Sequence, residues 1–225
     1  MSNYYLRIEL LSDTAFGRGD GVPGVVDSEV QHDEFGCPFL AGRTLKGLLR
    51  EECINLLYAL EQAGKAEPWW GVAHRLFGGP GSTLAERSAL HIGDATLADD
   101  LRAAVAHGVR RKALTRTQVL EALTAIRRQT AVDIESEAPR DETLRAIRVI
   151  LRQSIFSAPV YLEEASDEPT RRQELALLIA CVKALRLAGT GRNRGVGEIR
   201  AQLQDEQRAV VSEDAFDYFV QEVTR

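Results

Sequence analysis

The segment Gly189-Thr-Gly-Arg-Asn-Arg-Gly-Val-Gly-Glu-Ile-Arg200 places four glycines and three arginines in twelve residues. An apolar helical run precedes it and a strand-like alternation follows it. A chain with this order must leave a helix, turn through backbone that glycine adopts most freely, and enter a sheet at once. Arginine adds planar, permanently charged forks that fit phosphate. The segment therefore reads as a loop that grips a polyanion, most economically a nucleic-acid backbone. The alternative is a surface loop with solvated arginines. A Walker A loop is excluded because no Gly-Lys-Ser/Thr follows the glycines. A dinucleotide fingerprint is excluded because that motif runs from strand to helix, the reverse of the order here.

Periodicity supplies the elements around this loop. Tyr4 to Leu11 alternates as a half-buried strand with Leu6, Ile8 and Leu10 on one side. Val25 to Gln31 predicts a short strand, and Asp33-Glu-Phe-Gly36 predicts a turn with Asp33 as a turn residue. A helix is expected from Thr44 to about Leu60, its buried side marked by Leu45, Leu48, Leu49, Leu56 and Leu60. Arg43, Lys46 and Arg50 share one face near its start, where backbone N–H groups and the helix dipole favour anions. Gly47 in that helix suggests that something approaches closely there.

Further along, Gly78 to Gly81 reads as a turn and 90–97 as containing a strand, with 98–129 largely helical and basic. Thr130 to Arg140 reads as an exposed extension, Leu144 to Tyr161 as strands, and 163–170 as an acidic turn. Gln173 to Leu187 is the clearest helix, Val196 to Leu203 a strand, and Ser212 the cap of a last helix. This order predicts an α+β sheet with helices on one face, in the ferredoxin-like split βαβ arrangement. Sheets of that type offer a flat face that often meets single-stranded RNA.

The formal charge is −5, which by itself speaks against a nucleic-acid partner. Its distribution speaks otherwise. Residues 101–130 hold seven Lys/Arg against one acid, Glu121, whereas 131–170 hold nine acids against four arginines. A basic face can thus hide within an acidic total. Cys37, Cys53 and Cys181 lie far apart with no CxxC pair, which supports neither a disulfide framework nor a zinc site. Neither a membrane-length apolar run nor a signal-peptide layout at Met-Ser-Asn-Tyr-Tyr is found, so a cytoplasmic protein is expected.

Several segments, in order, resemble one family. Phe16-Gly-Arg-Gly-Asp20, Gly24-Val-Val-Asp-Ser-Glu-Val30 and Gly36-Cys-Pro-Phe-Leu-Ala-Gly-Arg-Thr-Leu-Lys-Gly-Leu-Leu-Arg50 are similar to the N-terminal part of the RAMP-superfamily backbone subunit of type III CRISPR effector complexes. Leu76-Phe-Gly78 with Ile92-Gly-Asp-Ala95 resembles its middle segment. Ala131-Val-Asp133 with Ile155-Phe156 resembles its thumb, and residues 189–197 resemble its glycine-rich loop. The chain departs from the family in having Ala41-Gly-Arg-Thr44 before Leu-Lys-Gly, and in lacking the His/Cys zinc site of some members.

The resemblance implies a single RAMP domain with a ferredoxin-like (RRM-like) palm at about 1–60 and 170–210. It further implies a helical insertion at about 67–129 and a thumb hairpin at about 130–160. Copies would stack head to tail along a CRISPR RNA, beside other type III subunits, with target RNA paired to the guide and no membrane partner. Guide contacts would come from Arg18, Arg43, Thr44, Lys46, Arg50, Gly189, Gly191, Arg192, Asn193, Arg194 and Gly195. Val132, Asp133 and Ile134 would belong to the thumb, with Val132 and Ile134 wedging between bases unless they are core residues.

In slicing members an aspartate after the first strand supports metal-dependent cleavage of the target, and by motif position it is Asp27. That residue would also hold the expected Mg²⁺, and no zinc is expected. A carboxylate can accept the 2′-OH proton or hold a hydrated Mg²⁺ against the phosphate. Asp20 and Glu29 are nearby spares with a solvated role as the simpler reading. Trp69 and Trp70 suit packing or subunit contact better than base stacking, and His74, His91 and His107 read as structural or surface residues. A guide-processing endoribonuclease would typically use a histidine, and residues 1–30 hold none. A non-catalytic scaffold differs from a slicer only at Asp27.

Overall fold

The computed structural model describes residues 2–79, 87–130, 145–163, 165–192, 195–211 and 213–225. Strand β1 (Ser2–Leu10) is central, and its alternation puts Leu6, Ile8 and Leu10 wholly out of water on one side. Its neighbours are β7 (Ile155–Leu162), paired Ile8↔Phe156 and Leu6↔Ala158, and β8 (Ile199–Gln204), paired Leu6↔Leu203 and Leu10↔Ile199. Beyond β7 lie β3 (Leu90–Ile92) and β4 (Ala95–Thr96), and β2 (Phe39–Leu40) pairs with β4. Every pairing in the sheet is antiparallel.

Two helices cross over the apolar face and make the fold ferredoxin-like. Helix α1 (Gly42–Gln62) links the first strand to β3, and α5 (Glu168–Ala184) links β7 to β8. Helix α2 (Glu67–Phe77) packs on both, and α6 (Glu213–Thr224) packs on α5. Trp69 of α2 is buried with its ring 4.8 Å from that of Phe219, so it is a packing residue, as the sequence suggested. Trp70 is exposed, as are His74, His91 and His107. Glu174 is fully buried on α5 and pairs with Arg75 of α2; burial raises its pKa against the pull of that guanidinium.

Outside this sheet and its helices lies a two-stranded hairpin with two further helices before it. Helices α3 (Asp99–Arg110) and α4 (Arg116–Leu123) are followed by β5 (Thr124–Gln129), which pairs with β6 (Arg145–Ile150) as a two-stranded hairpin. Residues 98–129 are thus not helical throughout: Thr115 and Gln118 form a capping box that starts α4, and the chain straightens at Thr124. The segment 25–31 makes only isolated bridges and no strand of its own. The acidic stretch 163–170 already contains the start of α5, capped by Asp167, whose Oδ1 accepts from the Thr170 N–H at 2.9 Å. The Ser212 cap, the thumb residues Val132, Asp133 and Ile134, and Asn193 and Arg194 lie outside the described residues.

Glycine chemistry is decisive where α5 hands over to β8. Gly197 has φ +86°, and a Cβ there would collide with the Ala188 carbonyl oxygen. Gly195 has φ +73° but open space around a Cβ. Gly195→Ala should therefore cost about 1–2 kcal/mol, the left-handed backbone term alone. Gly197→Ala should cost about 3 kcal/mol or more, since overpacking is added to it. Urea unfolding midpoints of the two variants check this order.

Candidate nucleic-acid groove

The long loop between β1 and β2 threads between the hairpin and the glycine-rich loop and pairs with both. Its first half joins the end of β6 through Thr14 N–H to Ile150 O at 3.0 Å and the reverse bond at 2.7 Å. Its second half joins the same strand through Asp27 N–H to Ala146 O at 2.7 Å and Arg148 N–H to Ser28 O at 3.0 Å. On the other side Thr190 N–H donates to Ala15 O at 2.9 Å. Gly189, at φ +88°, makes that approach possible, because a Cβ would press on the Ala15 carbonyl.

The three elements enclose an open groove of about 560 Å³. Arg127, Gln129, Ile147 and Val149 line it from the hairpin, and Thr190 and Arg192 from the glycine loop. Ala15 and Ser28 complete the lining from the long loop. Two arginines, amide and hydroxyl groups and glycine backbone next to apolar β-branched side chains suit a sugar–phosphate backbone and its bases. The sequence had pointed to Arg192, Gly189 and Gly191 here. It did not point to Arg127 or Gln129, which sit in the stretch read as helical.

Both groove arginines are tethered by acids. Arg127 donates to Asp13 Oδ2 at 2.6 and 2.9 Å, and Arg192 to Glu51 Oε2 at 3.3 Å. Burial works to raise the pKa of Asp13, but the Arg127 side chain and the Arg152 N–H outweigh it and hold the carboxyl below its ordinary value. The stabilisation from this pair is present above the ordinary carboxylate pKa and is lost as pH falls through the depressed one.

The remaining candidates have mixed placements. Arg18 is exposed and forked onto Asp20, with Nε–Oδ1 at 2.6 Å. Arg43, Thr44, Gly47 and Arg50 are exposed on α1, and nothing in the chain approaches a Cβ at Gly47. Lys46, however, donates to Ser88 Oγ, and burial, with help from Arg50, lowers its pKa. The start of α1 is also partly occupied. Asp94 Oδ1 accepts the Gly42 N–H at 2.8 Å, and Gln31 Oε1 the Ala41 N–H at 3.3 Å. The sequence expectation of free helix-start N–H groups is corrected there, because a residue 52 positions away caps the end.

Asp27 is exposed beside the groove, one residue from Ser28. Its Oδ2 accepts the Ala146 N–H at 2.7 Å. Asp33 is the expected turn residue, accepting from Phe35 and Cys37 N–H at 2.9 Å each. Glu29 is not the solvated spare the sequence suggested. It is 2% exposed and paired with Arg148, itself buried, at 2.9 Å. Arg148 also donates to Thr124 Oγ1 at 3.2 Å, so the pair ties the long loop to both strands of the hairpin. Alternation in Arg145-Ala-Ile-Arg-Val-Ile150 was the available signal, since it puts Arg148 on the opposite side from Ile147 and Val149.

Among the described residues, no three His, Cys, Asp or Glu side chains gather closely enough to hold a metal ion. Among the described residues, the other Asp27 oxygen has no partner. That fits a hydrated Mg²⁺ only if RNA phosphates provide further ligands, a mode Mg²⁺ commonly uses.

Residues 7–200 match the family model described as the RAMP superfamily. A chain of the type III-B Cmr-β complex bound to cognate target RNA superposes with a TM-score of 0.61 at 12% identity, over 90% of this chain and 97% of that one. A chain of the apo Cmr-β complex gives 0.61 at 13% over the same shares. A chain of a type IV-B CRISPR complex gives 0.57 at 12% over 90% of each. No curated protein sequence matches.

Removing one partner of a buried ion pair strands the other. Arg148→Met should therefore destabilise the chain by about 3–5 kcal/mol in denaturant unfolding, while the exposed Arg18→Met should change stability by less than about 1 kcal/mol. In acid unfolding, Asp13→Asn should flatten the loss of stability below the ordinary carboxylate range.

Proposed function

The chain belongs to the RAMP superfamily, and from that membership we propose that it is a guide-RNA-binding backbone subunit of a type III CRISPR effector complex. The observation that carries this reading is the groove, where the glycine-rich loop, the loop after β1 and the β5–β6 hairpin converge around Arg127 and Arg192. The similarity in fold to chains of the Cmr-β complex, one of them bound to cognate target RNA, supports it. Guide phosphates lie against Thr190, Arg192 and Arg127, releasing Asp13 and Glu51 from their arginines. Arg43 and Arg50 on the exposed side of α1 extend the basic track, and Asn193 and Arg194 belong to the same loop. Target RNA, further copies of the chain and other type III subunits are the proposed partners.

Cleavage of the target is proposed at Asp27. A splayed nucleotide beside Ser28 presents its 2′-OH to the adjacent phosphorus in line with the leaving 5′-oxygen. The O2′–P bond forms and the P–O5′ bond breaks, and the leaving 5′-oxygen takes a proton from water, giving a 2′,3′-cyclic phosphate and a 5′-hydroxyl. The free Asp27 oxygen takes the 2′-OH proton, and the Ala146 N–H holds the carboxylate in place. In the alternative use of that oxygen, a hydrated Mg²⁺ held by Asp27 and the RNA would supply charge neutralisation at the phosphate.

A scaffold without cleavage is the second reading. One observation favours it: half of the Asp27 carboxylate is already committed to the β6 backbone, and one carboxylate is a sparse site. Reconstitution with guide and labelled complementary RNA in Mg²⁺ decides between them. Slicing predicts regularly spaced cuts that Asp27→Ala abolishes while guide retention persists. Cuts that survive in the variant, or their absence in the wild type, remove Asp27 from catalysis. Arg127→Ala and Arg192→Ala should each weaken guide binding and lower the salt slope by about one; unchanged RNA affinity in both would defeat the groove itself.

A further inference from the structure

Opposite the helices, the main sheet presents a face that the groove does not use. Register turns Tyr5 and Arg7 of β1, Ser157 and Tyr161 of β7, and Arg200 of β8 toward it. Tyr5 lies across from Pro159 and Tyr161 across from Asn3, so the two tyrosines are diagonal neighbours on the central strands. Such neighbours sit about 7–8 Å apart, within reach of two successive splayed bases. Tyr161 is 42% exposed.

The ring of Tyr5 already carries a flat cation. The guanidinium carbon of Arg208 lies 3.4 Å from its centroid, and the same group donates to Ser157 Oγ at 2.7 Å. Arg208 reaches back from an exposed turn after β8, where its own φ is +66° and Asp205 accepts its N–H at 3.0 Å. A planar group therefore stacks on Tyr5 without any change in the sheet. Arg7 and Arg200 stand beside it, joined to Glu9 at 3.1 and 3.8 Å. With Arg208 these are three arginines, against Glu9 and Glu206 as the acid side chains bonded to this face among the described residues. A protein interface would share the tyrosines and arginines of this face but is depleted of acids at its core, whereas here Glu9 sits between Arg7 and Arg200.

We propose that the outer face of the sheet is a second RNA site, a stacking platform for unpaired nucleotides. Two adjacent bases stack on Tyr5 and Tyr161. Arg208 leaves the Tyr5 ring for a backbone phosphate, and Arg7 and Arg200 lie along the strand's path. The site shares no residue with the groove lining, so the chain can hold paired RNA in one place and a single strand in the other.

The test uses the purified full chain and a short fluorescent single-stranded oligoadenylate. Tyr5→Leu and Tyr161→Leu should each weaken binding about five- to a hundredfold, the range for loss of one base–aromatic stack. Tyr5→Phe and Tyr161→Phe should restore it, since phenylalanine keeps the ring. Leucine variants that bind like the wild type would overturn the proposal. So would leucine variants that change self-association while leaving RNA affinity intact, because the face would then be a protein interface. The double variant Arg127→Ala/Arg192→Ala separates this proposal from the groove. If it alone abolishes oligoadenylate binding, the single strand sits in the groove and only the platform is overturned.

Discussion

Glu29 and Arg148 form an ion pair almost wholly removed from water, and the groove depends on it. The loop after β1 is long and carries no regular strand; scattered backbone bonds hold it to itself, as from the Arg18 N–H to Glu29 O at 2.8 Å, and to β6 and the glycine-rich loop. The pair fixes it at one point against β6, and Arg148 passes the constraint to Thr124 on β5. A buried pair of this kind contributes little net stability compared with an apolar replacement, but breaking one half is costly. Its consequence is register. With Glu29 held, Asp27 and Ser28 are set against Ala146 and Arg148 by backbone bonds, and the carboxylate of Asp27 comes to the groove's edge.

The glycine-rich loop closes the other side under an opposite constraint. Here close backbone approach, not charge, decides the geometry. Gly189 lets the loop reach Ala15, and Gly197 lets it fold back on Ala188 before entering β8. The arginine that follows is then free to face the groove, with Glu51 as its partner in the isolated chain. Both groove arginines rest on acids, which lowers the cost of holding like charges near each other and leaves a pair that a polyanion can exchange for itself.

The central fold was legible because its signals are local. Strict alternation in β1 and the long apolar faces of α1 and α5 each fit one period. The loop's glycines marked a backbone need that no other residue meets as cheaply. The groove was less legible because its parts come from three distant segments. Thr124-Ala-Ile-Arg-Arg-Gln follows a helix directly, without a breaking Gly or Pro, so the strand does not announce itself. Glu29 looks like a surface acid until Arg148, more than a hundred residues later, is brought beside it. Lys46 and the start of α1 looked free for phosphate for the same reason, since Ser88 and Asp94 reach them only in the fold. Asp27 is singled out only by its resemblance to a family motif, and its bond to the Ala146 N–H is invisible in the spacing.

The proposed RNA path runs between the glycine-rich loop, the loop after β1 and the β5–β6 hairpin. Amide hydrogen exchange with and without bound guide RNA tests it most directly. Protection should appear together in 13–30, 124–129, 145–150 and 187–192, with α2 and α6 unchanged. Protection confined to other elements, with these segments exchanging as in the free chain, would contradict it.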